Sequence, residues 1–320
     1  MRALLLLAPL GCSASTPDVE QPAEVGVHAL ADQVYAEVDG YPLFADLALP
    51  DLDEPTPVVL LIHGGGFNSG SRADERVWAD WLAAQGVAAV SIDYRLTCVP
   101  DNPMPCVGAD ARADEPGFPG PLQDTKCAVR WVKATAEEHN FDPERVVALG
   151  TSAGAWFSSM LALTADAPEL DPVACPETDG VSSAVAASVS YFGPTDWSTL
   201  GLERRESGVW SGTPLTVGER ALVGSDCVEP DDLRCVASSP VSWVSAESAP
   251  LFVSHAVDDP VIPVEQALGL VGALADAGRP ATYVELPEGG HGWSDRFDDA
   301  DARQVRDQVL LWLDDTLPQP

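Results

Sequence analysis

A serine set among glycines, Gly150-Thr151-Ser152-Ala153-Gly154, directly follows the apolar run 145–149 and opens a helical stretch. In a strand–turn–helix setting this G-x-S-x-G pattern forms a nucleophile elbow. The tight turn lifts the hydroxyl clear of the sheet, and the helix that follows favours negative charge near its start. Alone the pentapeptide is weak, because a serine capping a helix after a strand reads the same way. A second cluster, His63-Gly64-Gly65-Gly66-Phe67, ends the apolar run 58–62. Three glycines let the backbone approach a bound carbonyl and aim N–H groups at it. Acyl transfer needs such donors, since its tetrahedral intermediate carries a full charge on that oxygen. The N–H groups of Gly65, Gly66 and Ala153 are therefore the expected oxyanion donors. A phosphate loop is the rival reading, but no Lys follows and the G-x-G-x-x-G spacing is missing. His63 is expected to anchor its loop.

Two further pieces complete a nucleophile, acid and base in the chain order Ser, Asp, His. His255-Ala256-Val257-Asp258-Asp259-Pro260 follows the strand-like run 251–255 and presents an acid. Asp259 is the expected one, because the residue before a proline is kept extended and its carboxylate is easier to fix. Its neighbour Asp258 reads as a solvated bystander. Gly289-Gly290-His291-Gly292-Trp293 follows the run 281–286 and presents His291 as the base. Of the five histidines, only His291 combines the right order with a glycine-flanked loop. His28 and His139 read as structural, and His255 as packing at a strand end. In this scheme Ser152 attacks a carbonyl, His291 carries its proton, and Asp259 orients the imidazole.

The elements that must hold these groups are legible as apolar runs. Strands are expected at 34–38, 43–49, 58–62, 87–92, 145–149, 184–191, 251–255 and 281–286. The central runs are Val-, Ile-, Leu- and Ala-rich without polar alternation, as in strands buried on both faces of a parallel sheet. Helices are expected at 73–85, 121–138, 153–165, 264–277 and 300–313. Only Asp39-Gly40 separates the first two strands, a hairpin signal. The pattern predicts an α/β fold: a mostly parallel eight-stranded sheet, helices on both faces, and an antiparallel first hairpin. Segments 96–120 and 192–250, rich in Pro, Gly and Asp, break the pattern and are expected as loops near the C-terminal edge of the sheet. The expected organisation is one catalytic domain over 25–317, with a loop-rich insertion at about 192–250.

Together these residues resemble an α/β-hydrolase of the bacterial carboxylesterase group, which includes hormone-sensitive-lipase-like and feruloyl-esterase-like enzymes. The resemblance covers roughly 30–315. It rests on His63 to Phe67, Ser91-Ile92-Asp93-Tyr94-Arg95-Leu96, Gly150 to Gly154, Tyr191-Phe192-Gly193-Pro194-Thr195-Asp196, Ser239-Pro240, Asp259 to Pro263 and His291-Gly292. It implies a serine hydrolase of carboxylic esters working through an acyl-enzyme, with no cofactor and no metal. Serine peptidases and arylformamidases share the fold, and a catalytically silent, surface-tethered binding protein is the reading from another class. Two departures stand out. Ala155-Trp156 replaces the usual Gly-His or Gly-Gly after the elbow and is expected to reshape the acyl pocket. The segment after Arg95 carries an insertion with Cys98 and Cys106.

The 320 residues are 46% hydrophobic, which excludes a wholly disordered chain, and no internal apolar run is long enough for a membrane span. A formal charge of -33 repels nucleic-acid phosphates and anionic lipid. The expected partner is a small-molecule ester, with no nucleic acid; the oligomeric state is left open. Residues 1–11 resemble a signal peptide, ending at Gly11-Cys12 in the manner of a bacterial lipoprotein. They predict export and a lipid anchor at Cys12, periplasmic or on the cell surface, with plain secretion as the alternative. Residues 12–24 read as a tether. The six remaining cysteines suit an oxidising compartment, and local pairs Cys98/Cys106 and Cys227/Cys235 are expected, each bracketing a short loop.

Overall fold

The computed structural model describes residues 25–38, 40–97, 117–172, 175, 178, 180–208, 214–229 and 231–319. The signal, Cys12, the tether, Asp39 and the Cys98/Cys106 pair lie outside the described residues. Eight strands form one sheet: β1 (Val27–Val38), β2 (Tyr41–Pro50), β3 (Thr56–Ile62), β4 (Ala88–Ile92), β5 (Phe141–Thr151), β6 (Ala187–Tyr191), β7 (Leu251–Ala256) and β8 (Thr282–Leu286). Their order is β1-β2-β4-β3-β5-β6-β7-β8. β2 is antiparallel to both β1 and β4, and all other pairs are parallel. This is the α/β-hydrolase architecture that the sequence predicts.

The period-two geometry of a strand divides the apolar runs between two cores. In β3, Val58, Leu60 and Ile62 enter one core, while Val59 and Leu61 enter the other. In β5, Val146 and Ala148 part from Val147 and Leu149 in the same way. Nine α-helices are described. On the first face α2 (Gly120–Ala134), α4 (Ala153–Leu163) and α8 (Val264–Asp276) supply Leu122, Trp156 and Leu270. On the second, α1 (Arg76–Ala84) and α9 (Ala300–Thr316) supply Leu82 and Val305.

Several expected boundaries move, each for a physical reason. β1 starts at Val27 rather than 34, because its outer part is an exposed edge carried by pairing with β2 rather than by burial. The expected helix 121–138 is two helices, α2 and α3 (Ala136–His139), broken at Thr135, whose φ of -101° leaves the helical range. The expected helix at 73–85 begins as a 3-10 turn, Arg72–Glu75. The 192–250 segment, expected as loop, also carries three helices between its loops: α5 (Trp197–Ser207), α6 (Val217–Val223) and α7 (Leu233–Ser238). Charged residues such as Arg204 and Glu219 point inward here and pair, which hides the apolar stripe that normally announces a helix. Disulfides join Cys227 to Cys235, as expected, and Cys127 in α2 to Cys175.

Candidate active site

Ser152 stands between β5 and α4 with φ 53° and ψ -115°, a backbone conformation that an L-residue adopts only under constraint. The constraint is local packing. A Cβ on Gly154 would lie 1.9 Å from Ile62 O, so only glycine lets α4 start this close to β3. Ser152 N–H donates to Tyr191 O at 2.9 Å, which ties the elbow to the end of β6. The side chain is part-exposed at the head of a cleft.

The loops after β7 and β8 bring an acid and an imidazole to that hydroxyl. Ser152 Oγ lies 2.8 Å from His291 Nε2, and His291 Nδ1 lies 2.8 Å from Asp259 Oδ2. Asp259 Oδ1 accepts from the N–H groups of Val261 at 2.8 Å and Ile262 at 3.0 Å, so its carboxylate closes its own turn. Burial pushes the Asp259 carboxyl up. Hydrogen bonds from His255 and His291, with their charges, outweigh burial and hold it well below the usual carboxylate range. Asp258 is no bystander: its Oδ1 accepts from Gly290 N–H at 2.7 Å and so braces the loop that carries His291. The ring of Phe192 meets the His291 ring edge-on at 4.9 Å.

The glycine loop lines the same cleft as His291. Gly65 has φ 108°, and a Cβ there would meet Ser69 O at 2.2 Å. The N–H groups of Gly65 and Gly66 have no hydrogen-bond partner among the described residues, and Ala153, as the first residue of α4, has an N–H with no acceptor in its own helix. All three residues line the cleft with Ser152. His63 is buried beneath them, its Nδ1 2.7 Å from Gly64 O and its ring stacked on Tyr94 at 4.3 Å. It anchors the loop. His28 and His139 do not line the cleft. Among the described residues no three His, Cys, Asp or Glu side chains converge as metal ligands do.

The sequence profile of the BD-FAE family matches residues 45–274, a span that includes the glycine loop, Ser152 and Asp259. The chain belongs to the BD-FAE family. It is 31% identical over 263 residues to Esterase LipC of Mycobacterium tuberculosis, covering 81% of this chain and 58% of that protein. To Esterase LipQ of the same organism it is 28% identical over 246 residues, covering 76% and 52%. The chain thus spans a little over half the length of these curated relatives. Among solved structures, a truncated carbohydrate esterase from gut microbiota superposes with a TM-score of 0.69 at 21% identity, covering 92% of this chain and 98% of that one. Propionate-bound esterase 2 of Thermogutta terrifontis gives 0.66 at 24% identity, covering 93% and 97%. At these identities the likeness shows the fold.

In this BD-FAE chain the cleft encloses about 720 Å³. The 192–250 segment supplies one wall through Pro194, Thr216 and Glu219. Arg204 is 1% exposed and fastens that wall. It grips both oxygens of Glu219 at 2.8 Å and donates to Val261 O at 2.9 Å, next to the Asp259 turn. Trp156 does not reshape the cleft directly, because it faces the core. Its Nε1 donates to Ser238 O at 2.8 Å beside that of Trp197 at 2.9 Å, and its ring meets Phe67, which does line the cleft.

Sequence reasoning also missed two groups in the BD-FAE site. His255 is fully buried with Nε2 3.3 Å from Asp259 Oδ2; its spacing four residues before Asp259, across Ala256-Val257-Asp258, was the available signal. Glu75 lines the cleft from the end of the 3-10 turn, and burial beside Asp295 and Asp74 raises its carboxyl to about 7. No sequence signal marks it, since it sits in a charged stretch that reads as solvated helix.

Proposed function

We propose that the chain hydrolyses carboxylic esters through an acyl-enzyme on Ser152. The observation that carries this reading is His291, 2.8 Å from Ser152 Oγ on one ring nitrogen and 2.8 Å from Asp259 on the other. Ser152 O–H donates to Nε2, so the proton has a place to go as Oγ attacks the ester carbonyl. Nδ1–H donates to Asp259, which fixes the tautomer and stabilises the imidazolium that forms. The oxyanion faces the N–H groups of Gly65, Gly66 and Ala153, removal of one such donor typically costing about 10²–10³ in turnover. His291 then returns the proton to the leaving alcohol, and water frees the acid by the same steps in reverse order of groups. Names of the relatives, Esterase LipC and Esterase LipQ, support the same class of chemistry.

Export with a lipid at Cys12 belongs to the same proposal. It is supported by residues 1–12 and by two disulfides, which suit an oxidising compartment. The test of the catalytic reading is hydrolysis of p-nitrophenyl acetate together with fluorophosphonate labelling. Ser152→Ala is expected to lose about 10⁶ in turnover, and all labelling, with an unchanged circular dichroism spectrum. Turnover within tenfold of wild type would sink the serine mechanism.

A further inference from the structure

The cleft is lopsided in charge. Among the described residues its lining holds Asp74, Glu75, Glu219 and Asp295 but no Lys or Arg. Glu219 is already gripped by Arg204. The other three carboxyls act on one another. Glu75 is only 6% exposed, yet its carboxyl makes no side-chain hydrogen bond with any described residue. Ser294, which also lines the cleft, is fully buried, and its Oγ too has no partner among the described residues. Buried polar groups left without protein partners in a cavity wall carry a desolvation cost that a ligand can offset. What these groups accept is positive charge and hydrogen-bond donors.

We infer that this end of the cleft, formed by Asp74, Glu75, Ser294 and Asp295 beside the Trp78 ring, is a subsite for an ammonium group carried on the alcohol part of the ester. The inference rests on the esterase reading and adds a substrate class to it. His291 hands its proton to the departing alcohol, so the alcohol lies on the His291 side of Ser152. Asp295 is four residues beyond His291, and their charges interact. Trp78, one turn along from Glu75, lines the same end and is packed among the rings of Trp81, Tyr191 and Phe297; aromatic rings of this kind attract quaternary ammonium. In the acylation step the ester C–O bond breaks as the acyl group moves to Ser152 Oγ, and the amino alcohol leaves neutral at oxygen with the proton from His291. Water then releases the acid. The chain's formal charge of -33 adds a long-range field that draws cations in.

Choline and neohexyl alcohol, its uncharged carbon isostere, separate charge from shape. They are compared as competitive inhibitors of p-nitrophenyl acetate hydrolysis at about pH 8, in about 0.15 M salt so that the overall field is screened beyond about 8 Å. Choline is expected to inhibit at least about tenfold more tightly. That ratio is expected to fall towards one in Glu75→Gln and in Asp295→Asn, the second variant serving if the first does not fold. A wild-type ratio of one or less overturns the subsite and leaves ester hydrolysis standing. If p-nitrophenyl acetate is not hydrolysed at all, the esterase reading fails instead. Calorimetric titration of the same two alcohols into the Ser152→Ala protein still reads the subsite, and equal affinities there overturn it.

Discussion

His255 Nε2 lies 3.3 Å from Asp259 Oδ2, the same oxygen that His291 Nδ1 approaches to 2.8 Å. Nε2 is also 2.8 Å from Ile262 O, which can only accept, so the proton of this imidazole is on Nε2 and is shared between carbonyl and carboxylate. With Val261 and Ile262 N–H on the other oxygen, the acid is held from both ends. One buried histidine thus positions the group that positions the other.

Replacing His255 by Phe keeps a ring in the core and removes the donor. A hydrogen bond to a charged group is worth about 1.5–3 kcal/mol, so kcat is expected to fall on the order of tenfold with KM little changed. Steady-state kinetics with p-nitrophenyl acetate check this. An effect confined to KM would instead place His255 in substrate binding.

The adjacent acids are expected to part company. Asp259→Asn is predicted to cut turnover by about 10⁴, the scale seen when a triad acid becomes an amide. Asp258→Asn retains an acceptor oxygen for Gly290 N–H and is expected to cost less than about tenfold, whereas Asp258→Ala frees the His291 loop and is expected to cost up to about 10²-fold. Kinetics on the three variants at one pH decide the matter. Asp258→Asn proving worse than Asp259→Asn would exchange the two roles.

Glu75 links the cleft to stability. Its carboxyl is raised from 4.5 to about 7 by burial first, then by Asp295 and Asp74. Between those values the folded protein holds a proton that the unfolded chain has released, so stability falls as pH rises across the window and stays reduced above it. Glu75→Gln removes the charge. It is expected to be more stable than wild type by up to about 3 kcal/mol near pH 8, with the gap closing towards pH 4.5. Urea unfolding at the two ends of the range measures this, and a gap that widens on acidification contradicts the assignment.

The two disulfides are expected to differ in effect. Cys127–Cys175 closes a separation of 48 residues and Cys227–Cys235 one of 8. In the chain-entropy model they contribute about 4 and about 2–3 kcal/mol respectively. Cys127→Ala with Cys175→Ala should therefore lower the unfolding midpoint more. Removing the short bridge should act mainly on the cleft wall that the 192–250 segment supplies, read as a change in KM. Peptide mapping of the oxidised protein that finds Cys227 and Cys235 free would remove the premise.

The elbow, the glycine loop and the turns that carry Asp259 and His291 were legible because each is a local device. Ser152 needs its glycines within two residues, and Asp259 is set by its own turn with Val261 and Ile262. The sheet was legible for a similar reason: runs such as 58–62 alternate between two apolar cores, and burial on both faces leaves no polar position in the sequence. Tertiary structure alone decided what surrounds the cleft. Glu219 became a wall because Arg204, 15 residues earlier, turns inward to meet it; Trp156 braces Ser238 across 82 residues; and Glu75 feels the charge of Asp295 only because the fold brings two distant 3-10 turns to one cleft. Charged residues facing inward carry no periodic signature, since what makes their burial tolerable is a partner whose distance along the chain is set by the fold and not by the spacing of a helix or a strand.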